Sequence, residues 1–340
     1  MALRLTHEVL TLETAHPFGI ARGTESSYRV VWVRLTDDDG LEGWGEADPS
    51  AYYGETADTV VAALARIGPV VADAEAFALE DVEARLAASL RGNAAARCAV
   101  SAALHDLVGK RLGVPLWKLW GLDPAKAPRS SFTIGLDAPA VMQAKVKEAS
   151  QYPLLKIKVG TPDDATVLRA VREVTDKPIR VDANCGWSVK QCLRMLPLLS
   201  EYGVELIEQP LPPGDLEGLA LVRRESPIPV IADESCLTAE DIPRLAGRVD
   251  GINIKLAKCG SLREALRMIA VARAHHMLVM VGCMIESSLG ITAAAHFTPL
   301  LDYVDLDGAA LLKSDPFTGA SIAGGQVTLP SAPGLGVARR

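Results

Sequence analysis

The sequence lacks the features of several large classes of protein. It contains no run of 18 apolar residues, so no membrane-spanning helix is expected. The first residues have neither the apolar stretch nor the small-residue cleavage site of a signal peptide. A net charge of −7, with acidic and basic residues interspersed, argues against binding to nucleic acids or acidic membranes. We therefore expect a cytoplasmic protein with neither kind of partner.

Cysteine and histidine pairs with metal-ligand spacing are also absent. The six cysteines show no Cys-x-x-Cys motif, and the six histidines show no ligand spacing. The cysteines mostly lie inside apolar segments, which is typical of small buried residues in a reducing compartment.

Two successive patterns of predicted elements divide the chain. The length of 340 residues and the hydrophobic content of 49% suit a barrel of about 250 residues plus an additional domain. Residues 1–50 predict an antiparallel meander with loops at His16 to Ser26 and Asp48 to Thr56, and three helices follow. We expect an α+β capping domain at residues 1–120, whose loops cover the substrate. A barrel with the active site follows at 121–312, and residues 313–340 are expected to return to the capping domain.

From about Ser130 the pattern alternates between strand and helix. Eight such units with short connections favour an α/β fold, a modified (β/α)8 barrel of the TIM type. The eighth helix is expected to be missing or short, because the segment after residue 312 is rich in proline and glycine. The predicted strands are Ser131–Leu136, Leu154–Val159, Ile179–Asn184, Val204–Gln209, Pro229–Asp233, Gly251–Leu256, Met277–Gly282 and Tyr303–Asp307.

Charged residues stand at the carboxyl ends of these strands, where the active sites of such barrels lie. Lys156 and Lys158 share one face of the second strand because they are two residues apart. The intervals from Lys158 to Asp182, Glu208, Asp233 and Lys255 are 24, 26, 25 and 22 residues. Each interval is one strand-plus-helix unit, so these side chains should converge.

Three of the converging residues are acids that end successive strands: Asp182, Glu208 and Asp233. Buried carboxylates without a counter-charge repel one another, and a cation removes the repulsion. Oxygen ligands without histidine or cysteine suit Mg²⁺. Asn184 and Glu234 are expected just outside the ligands, although Asn184 could also be a turn residue. The alternative is that each acid pairs with a neighbouring lysine.

The lysines lie on both sides of the acids along the predicted barrel. A ligand held at strands three to five would have Lys158 on one face and Lys255 on the other. Burial near a divalent cation lowers the pKa of a lysine, so either amine could act as a base. This arrangement favours proton abstraction next to a carboxylate, with a proton returned from the opposite face. The alternative is that both lysines are only ion-pair partners of the acids.

The motifs resemble those of the enolase superfamily, muconate-lactonizing subgroup, over nearly the whole chain. The resemblance implies that Asp182, Glu208 and Asp233 bind Mg²⁺ and that Lys158 and Lys255 are the acid/base catalysts. It also implies that Lys156 neutralises the substrate carboxylate. The motifs are Lys156-x-Lys158, Asp182-x-Asn184, Glu208-Gln209-Pro210, Asp233-Glu234-Ser235 and Asn253-Ile254-Lys255.

A further motif at the eighth strand resembles the dipeptide epimerases. Asp305 and Asp307 place two carboxylates on one face, which suits the free ammonium group of a substrate; the alternative is an acid pair facing water. Together with residues 282–288 they resemble L-Ala-D/L-Glu epimerases. The resemblance implies that both aspartates bind the amino terminus of a dipeptide. It also implies that the backbone at Cys283 and the segment at Thr133 contact the substrate.

The segment Ile20 to Gly23 resembles the corresponding loop of Ala-Glu epimerases. There an arginine, here Arg22, contacts the side-chain carboxylate of glutamate, a pairing that a guanidinium suits. The alternative is an ordinary exposed arginine. Tyr52 and Tyr53 could exclude water from the site or only anchor their loop.

These patterns predict a Mg²⁺-dependent epimerase that inverts the α-carbon of the C-terminal residue of a dipeptide, with L-Ala-D/L-Glu as the expected pair. Such a preference would place the enzyme in the metabolism of peptidoglycan peptides. The rivals in the same subgroup are o-succinylbenzoate synthase, N-acyl amino acid racemase and muconate cycloisomerase. A non-catalytic ligand-binding barrel is the rival from another class. The sequence leaves the oligomeric state open, a homo-oligomer included.

Overall fold

A computed structural model describes residues 3–340 and contains three β-sheets. The first is antiparallel with three strands, the second is parallel with eight strands, and the third has two short strands. Within residues 3–340, no helix combines the length and the apolar character that a membrane span requires.

The antiparallel sheet packs against the first helices of the chain. Its three strands are β1 (Arg4–Ile20), β2 (Gly23–Thr36) and β3 (Glu42–Ala47), and the helices are α1 (Ala57–Ala72), α2 (Leu79–Ser89) and α3 (Ala94–Leu112). Thr56 and Thr59 form a capping box at the start of α1, since each side-chain oxygen accepts a hydrogen bond from the other residue's N–H.

The segment His16 to Ser26, expected to be a loop, instead forms the end of the β1–β2 hairpin. Phe18 pairs with Glu25 across the hairpin, beyond a shift of register that follows Glu13. Most side chains of this segment are exposed, so the alternation of apolar and polar residues that identifies a half-buried strand is absent.

Helix α3 approaches β3 closely because two glycines face it. A Cβ atom on Gly43 or Gly45 would lie 2.0 Å from a backbone carbonyl oxygen of α3. On the same helix, the buried Asp106 carboxylate accepts hydrogen bonds from Trp44 N (2.9 Å), Lys110 Nζ (2.7 Å) and Leu335 N (2.7 Å). This carboxylate therefore joins the capping sheet to a segment more than two hundred residues later in the sequence.

The eight parallel strands follow one another in sequence order, from β4 to β11, and form the expected modified barrel. A bridge between Ser130 and Val304 connects the first strand to the last. All eight predicted strands are present, each shorter than predicted by one to three residues. They are β4 (Phe132–Ile134), β5 (Leu155–Lys158), β6 (Ile179–Asp182), β7 (Val204–Glu208), β8 (Val230–Ala232), β9 (Gly251–Ile254), β10 (Leu278–Gly282) and β11 (Tyr303–Asp305).

Helices connect the strands and cover the outside of the barrel. Leu155 and Ile157 of β5 belong to the large apolar cluster that includes residues of these helices, so the alternate residues Lys156 and Lys158 point into the barrel. After the short α4 (Leu116–Leu119), the helices are α5 (Pro139–Glu148), α6 (Asp164–Arg172), α7 (Val189–Glu201), α8 (Leu216–Glu225), α9 (Ile242–Leu245), α10 (Leu256–Cys259), α11 (Leu262–Ala274) and α12 (Ser288–Ala295).

After β11 the described chain forms two short 3-10 segments, Gly308–Leu311 and Ala323–Gly325, and no α-helix, so the eighth helix is missing as expected. Strands β12 (Phe317–Thr318) and β13 (Ala338–Arg339) then form the third sheet. Gly334 O accepts a hydrogen bond from Leu116 N (3.1 Å). The division at residues 120 and 312 stays a prediction. All six cysteines are unpaired, and four of them are buried.

Candidate active site

A cavity of about 630 Å³ lies between the capping part and the carboxyl ends of the barrel strands. Its walls include the tip of the β1–β2 hairpin and the segment between β3 and α1. Two of the expected site residues, Asp182 and Glu208, are fully buried behind the cavity wall. The expected residues that line the cavity are Arg22, Thr133, Lys156, Lys158, Asn184, Asp233, Glu234, Lys255, Cys283, Asp305 and Asp307.

The three acids form a row because their strands are neighbours in register. Lys158 pairs with Asp182 across β5 and β6, and Asp182 pairs with Glu208 across β6 and β7. Asp233 follows β8 directly, and Lys255 follows β9. The sheet order therefore places Lys158 at one end of the row and Lys255 at the other.

The lysines pair directly with the acids. Lys158 Nζ lies 2.6 Å from Asp182 Oδ2, and Lys255 Nζ lies 2.8 Å from Asp233 Oδ2. Lys156 Nζ lies 2.6 Å from Glu208 Oε2 and 3.1 Å from Asp182 Oδ2. Within residues 3–340, no three Asp, Glu, His or Cys side chains are grouped as a ready-made metal cage. The Mg²⁺ site therefore stays a prediction.

Several buried oxygen atoms nevertheless suit a cation at this place. In the described part of the chain, Glu234 Oε2, Asn184 Oδ1 and Asn253 Oδ1 are buried and accept no hydrogen bond, and the only cation at Glu208 Oε2 is the Lys156 ammonium. Burial and the neighbouring Asp182 carboxylate raise the pKa of Glu208 to about 7, which reflects an excess of negative charge. Because buried oxygens rarely lack a donor, this donor set fits a hard divalent ion.

The pKa of Lys255 shows the effect of the acids when no cation is bound to them. Burial lowers the pKa of Lys255, but Asp233 and Glu208 more than offset this effect and hold the pKa above its usual value. A lysine with such a pKa is a poor base at neutral pH. A cation that engaged the acids would remove this restraint, so the lowered lysine pKa expected from the sequence depends on the metal.

Three residues hold the acids in place: Lys258, which the sequence reasoning missed, and Gln209 and Asn253, to which it gave no role beyond their motifs. Lys258 Nζ donates to Asp233 Oδ1 (2.5 Å), on the opposite side of that carboxylate from Lys255. Gln209 Oε1 accepts from Asp233 N (2.8 Å), and Asn253 Nδ2 donates to Glu208 Oε1 (2.8 Å). A signal for Lys258 was present, since a lysine inside the apolar segment 254–259 needs a buried partner.

The two aspartates of the eighth strand have different surroundings. Asp305 accepts from Lys156 Nζ (2.7 Å) and from the Ser131 hydroxyl (2.6 Å). Asp307 accepts from the backbone N–H of Thr133 (2.5 Å) and has no ion pair within 4 Å. Burial and the Asp305 carboxylate raise the pKa of Asp307 to about 7. Asp307 is therefore the acid whose charge is less compensated.

Arg22 lies at the mouth of the cavity, and one nitrogen of its guanidinium is already engaged. Its Nη1 atom donates to Glu234 Oε1 (2.8 Å) and to the backbone oxygen of Asn184 (2.9 Å). The Tyr52 ring centroid lies 4.2 Å from the guanidinium carbon. The contact with a substrate carboxylate that the sequence suggests stays a prediction.

Comparison with known proteins connects this site to one family. The N-terminal domain of mandelate racemase and muconate lactonizing enzymes matches residues 4–121, and the enolase C-terminal domain-like model matches residues 140–339. The L-Ala-D/L-Glu epimerase of Bacteroides thetaiotaomicron is 42% identical, over 98% of this chain and 88% of its own length. The L-Ala-D/L-amino acid epimerase of Maribacter sp. is 40% identical, over 98% of this chain and 99% of its own length.

A solved structure agrees with these relatives. The dipeptide epimerase of Enterococcus faecalis, in complex with Mg and L-Leu-L-Tyr, has a TM-score of 0.95 at 33% identity and covers 100% of both chains. The resemblance inferred from the motifs is confirmed, as is the barrel fold.

Proposed function

This chain belongs to the mandelate racemase/muconate lactonizing enzyme family, and we propose that within it the protein is a Mg²⁺-dependent dipeptide epimerase. The observation that carries the proposal is the row of three buried carboxylates with a lysine at each end. The relatives that are named dipeptide epimerases support the same substrate class.

The two lysines perform the reaction by transferring protons at one carbon. One amine, unprotonated, removes the α-proton of the C-terminal residue, and the other, as an ammonium, returns a proton from the opposite face. The carbon is inverted; the first lysine gains the substrate's α-proton, and the second lysine loses a proton of its own. Because Lys158 and Lys255 lie at separate ends of the row, each can serve one epimer of the substrate.

Asp182, Glu208 and Asp233 are the residues that would hold Mg²⁺, with Asn184 and Glu234 just outside them. When bound, the cation stabilises the negative charge that develops on the substrate carboxylate, by several kcal/mol. Lys258, Gln209 and Asn253 keep the acids oriented through the hydrogen bonds described above.

The remaining cavity residues bind and orient the dipeptide. Lys156 neutralises the substrate carboxylate, and Asp305 and Asp307 bind the free ammonium group. The segment at Thr133 and the backbone at Cys283 contact the substrate. The rival subgroup reactions, including o-succinylbenzoate synthesis and muconate cycloisomerisation, use substrates without a free amine, so the uncompensated charge of Asp307 favours a dipeptide.

L-Ala-L-Glu and L-Ala-D-Glu are the pair we propose to test first. An enzyme with this preference would act in the cytoplasm on peptides derived from peptidoglycan. The Enterococcus faecalis relative holds L-Leu-L-Tyr, so a panel of dipeptides with acidic, neutral and aromatic C-terminal residues is needed beside the first pair.

The test is incubation with L-Ala-L-Glu and Mg²⁺ in D₂O, with NMR detection of the α-proton. We expect deuterium to replace the α-proton of the C-terminal residue as the other epimer forms. Lys158→Ala and Lys255→Ala should each abolish epimerisation, while one variant can still exchange the proton of a single epimer. Absence of exchange from every dipeptide in the panel would refute the proposal, and equal exchange of both epimers in both variants would refute the two-lysine mechanism.

A further inference from the structure

The hairpin tip and the segment between β3 and α1 meet at one side chain, Arg22. Its Nη1 atom bonds two groups of the barrel: the Glu234 carboxylate and the Asn184 backbone oxygen. The Glu234 side chain is 1% exposed and the Arg22 side chain is 34% exposed, so this charge-assisted hydrogen bond is shielded from water on the Glu234 side.

The other face of the guanidinium covers the ring of Tyr52, which belongs to the segment between β3 and α1. The Tyr52 hydroxyl lies 3.8 Å from Cys185 Sγ, a weak contact. With 42% of its surface exposed, Tyr52 has little other contact with the barrel. The guanidinium therefore connects the hairpin, the Tyr52 segment and two barrel loops.

The hairpin itself has an independent attachment. Gly19 O accepts a hydrogen bond from Leu136 N (2.8 Å), and a Cβ atom on Gly19 would lie 2.2 Å from Leu136 O. Beside the tip, a Cβ atom on Gly160 would lie 2.8 Å from Ala21 Cβ. The hairpin thus has contacts with the barrel that do not involve Arg22. The Tyr52 ring has Arg22 on one face, and its other contacts are the Tyr53 ring (centroids 5.0 Å apart) and the weak contact with Cys185.

We propose that Arg22 is a positioning residue that clamps the Tyr52 segment over the cavity and does not read the side chain of the substrate. The inference rests on the proposed dipeptide epimerase activity. Since the two hydrogen bonds of Nη1 go to the barrel, the clamp should contribute equally for charged and uncharged C-terminal residues.

The kinetic test compares Arg22→Gln with the wild type on L-Ala-L-Glu and on its uncharged isostere L-Ala-L-Gln. A clamp predicts that kcat/KM falls about tenfold for both substrates, the change expected when one charge-assisted hydrogen bond is lost. Arg22→Lys, which keeps the charge and can reach the same acceptors, should recover part of the loss for both. A fall at least ten times larger for L-Ala-L-Glu would make Arg22 a reader of the substrate carboxylate and overturn the proposal, as would no fall at all.

The second test needs no substrate. Hydrogen–deuterium exchange of the backbone is measured in Arg22→Gln, with Arg34→Gln as the control; Arg34 lies on β2 of the same hairpin, outside the cavity, and pairs with the partly exposed Glu42. We expect faster exchange in residues 50–55 of the Arg22 variant and not of the control. Unchanged exchange in that segment overturns the clamp. The two proposals can therefore fail separately. The clamp proposal fails if exchange in residues 50–55 is unchanged, and the epimerase proposal fails if the wild type exchanges no α-proton.

Discussion

At the scale of single residues, the uneven surroundings of Asp305 and Asp307 make their roles separable. The Lys156 ammonium compensates Asp305, whereas Asp307 receives only neutral hydrogen bonds. An incoming ammonium group would therefore gain most from Asp307, provided that this carboxyl group is ionised.

Asp307→Asn should raise KM for a dipeptide about tenfold and change kcat little, because ground-state binding is lost while the Thr133 hydrogen bond can be kept. With a pKa of about 7, the wild-type carboxyl ionises as the pH rises through neutrality, so the wild-type KM should fall between pH 6 and 8. Initial rates across this range measure both effects. Asp302→Asn, at the opposite end of β11, is the control. An Asp307 variant that keeps the wild-type KM would remove this residue from the ammonium site.

Sequence reasoning could place the charged residues of the site because their spacing follows the length of a strand-plus-helix unit. It could not find that Lys258 and Lys255 hold opposite oxygens of Asp233, since this depends on how a short helix turns after β9. Nor could it find that Arg22 faces Glu234, a partner more than two hundred residues away.

At the scale of elements, the contact between β3 and α3 leaves no space for side chains at two glycines. Gly45→Ala would bring a methyl group to 2.0 Å from Ala99 O, which only a shift of the helix can relieve. We expect the free energy of unfolding to fall by about 1–3 kcal/mol, the usual cost of overpacking.

Urea denaturation measures this change, and Gly214→Ala is the matched control. Gly214 is exposed with no atom near its added Cβ, so its substitution should alter stability by less than about 0.5 kcal/mol. Equal stabilities for the two variants would show that α3 can move away from the sheet without cost.

The elements also differ in how well the sequence predicts them. The barrel strands are short apolar runs at regular intervals, and all eight were found. The end of the β1–β2 hairpin has both faces largely exposed and contains glycine and serine, so nothing in its composition separates it from a loop.

At the scale of the whole molecule, a buried acid joins the capping sheet to the barrel. Glu46 of β3 accepts hydrogen bonds from the backbone N–H of Ser287 (2.8 Å) and from its hydroxyl group. Burial raises the pKa of Glu46 to about 8 despite these hydrogen bonds, and the Glu286 carboxylate nearby adds to the rise. The folded state therefore binds a proton at this site more tightly than the unfolded chain does.

The pKa of Glu46 in the folded state lies above its unfolded value near 4.5, so proton binding stabilises the folded state fully below pH 4.5. This stabilisation is lost as the pH rises through about 8. Glu46→Gln removes this titration. Its unfolding free energy should decline less steeply between pH 5 and 8 than that of the wild type, by up to about 1.4 kcal/mol per pH unit. Urea denaturation at a series of pH values measures the slopes. If the unfolding free energies of the two proteins changed in parallel between pH 5 and 8, Glu46 would not hold the proton. Above about pH 9, where Glu46 is ionised in both states, parallel changes are expected.

The Asp106 carboxylate has a consequence for how the chain is made. On the ribosome, Trp44 and Lys110 emerge early, but Leu335 leaves the exit tunnel only after the barrel has been synthesised. Until then this carboxylate lacks one of its three donors inside an apolar neighbourhood, a costly state for a charged group. The capping sheet thus reaches its final stability only after the whole barrel has been translated.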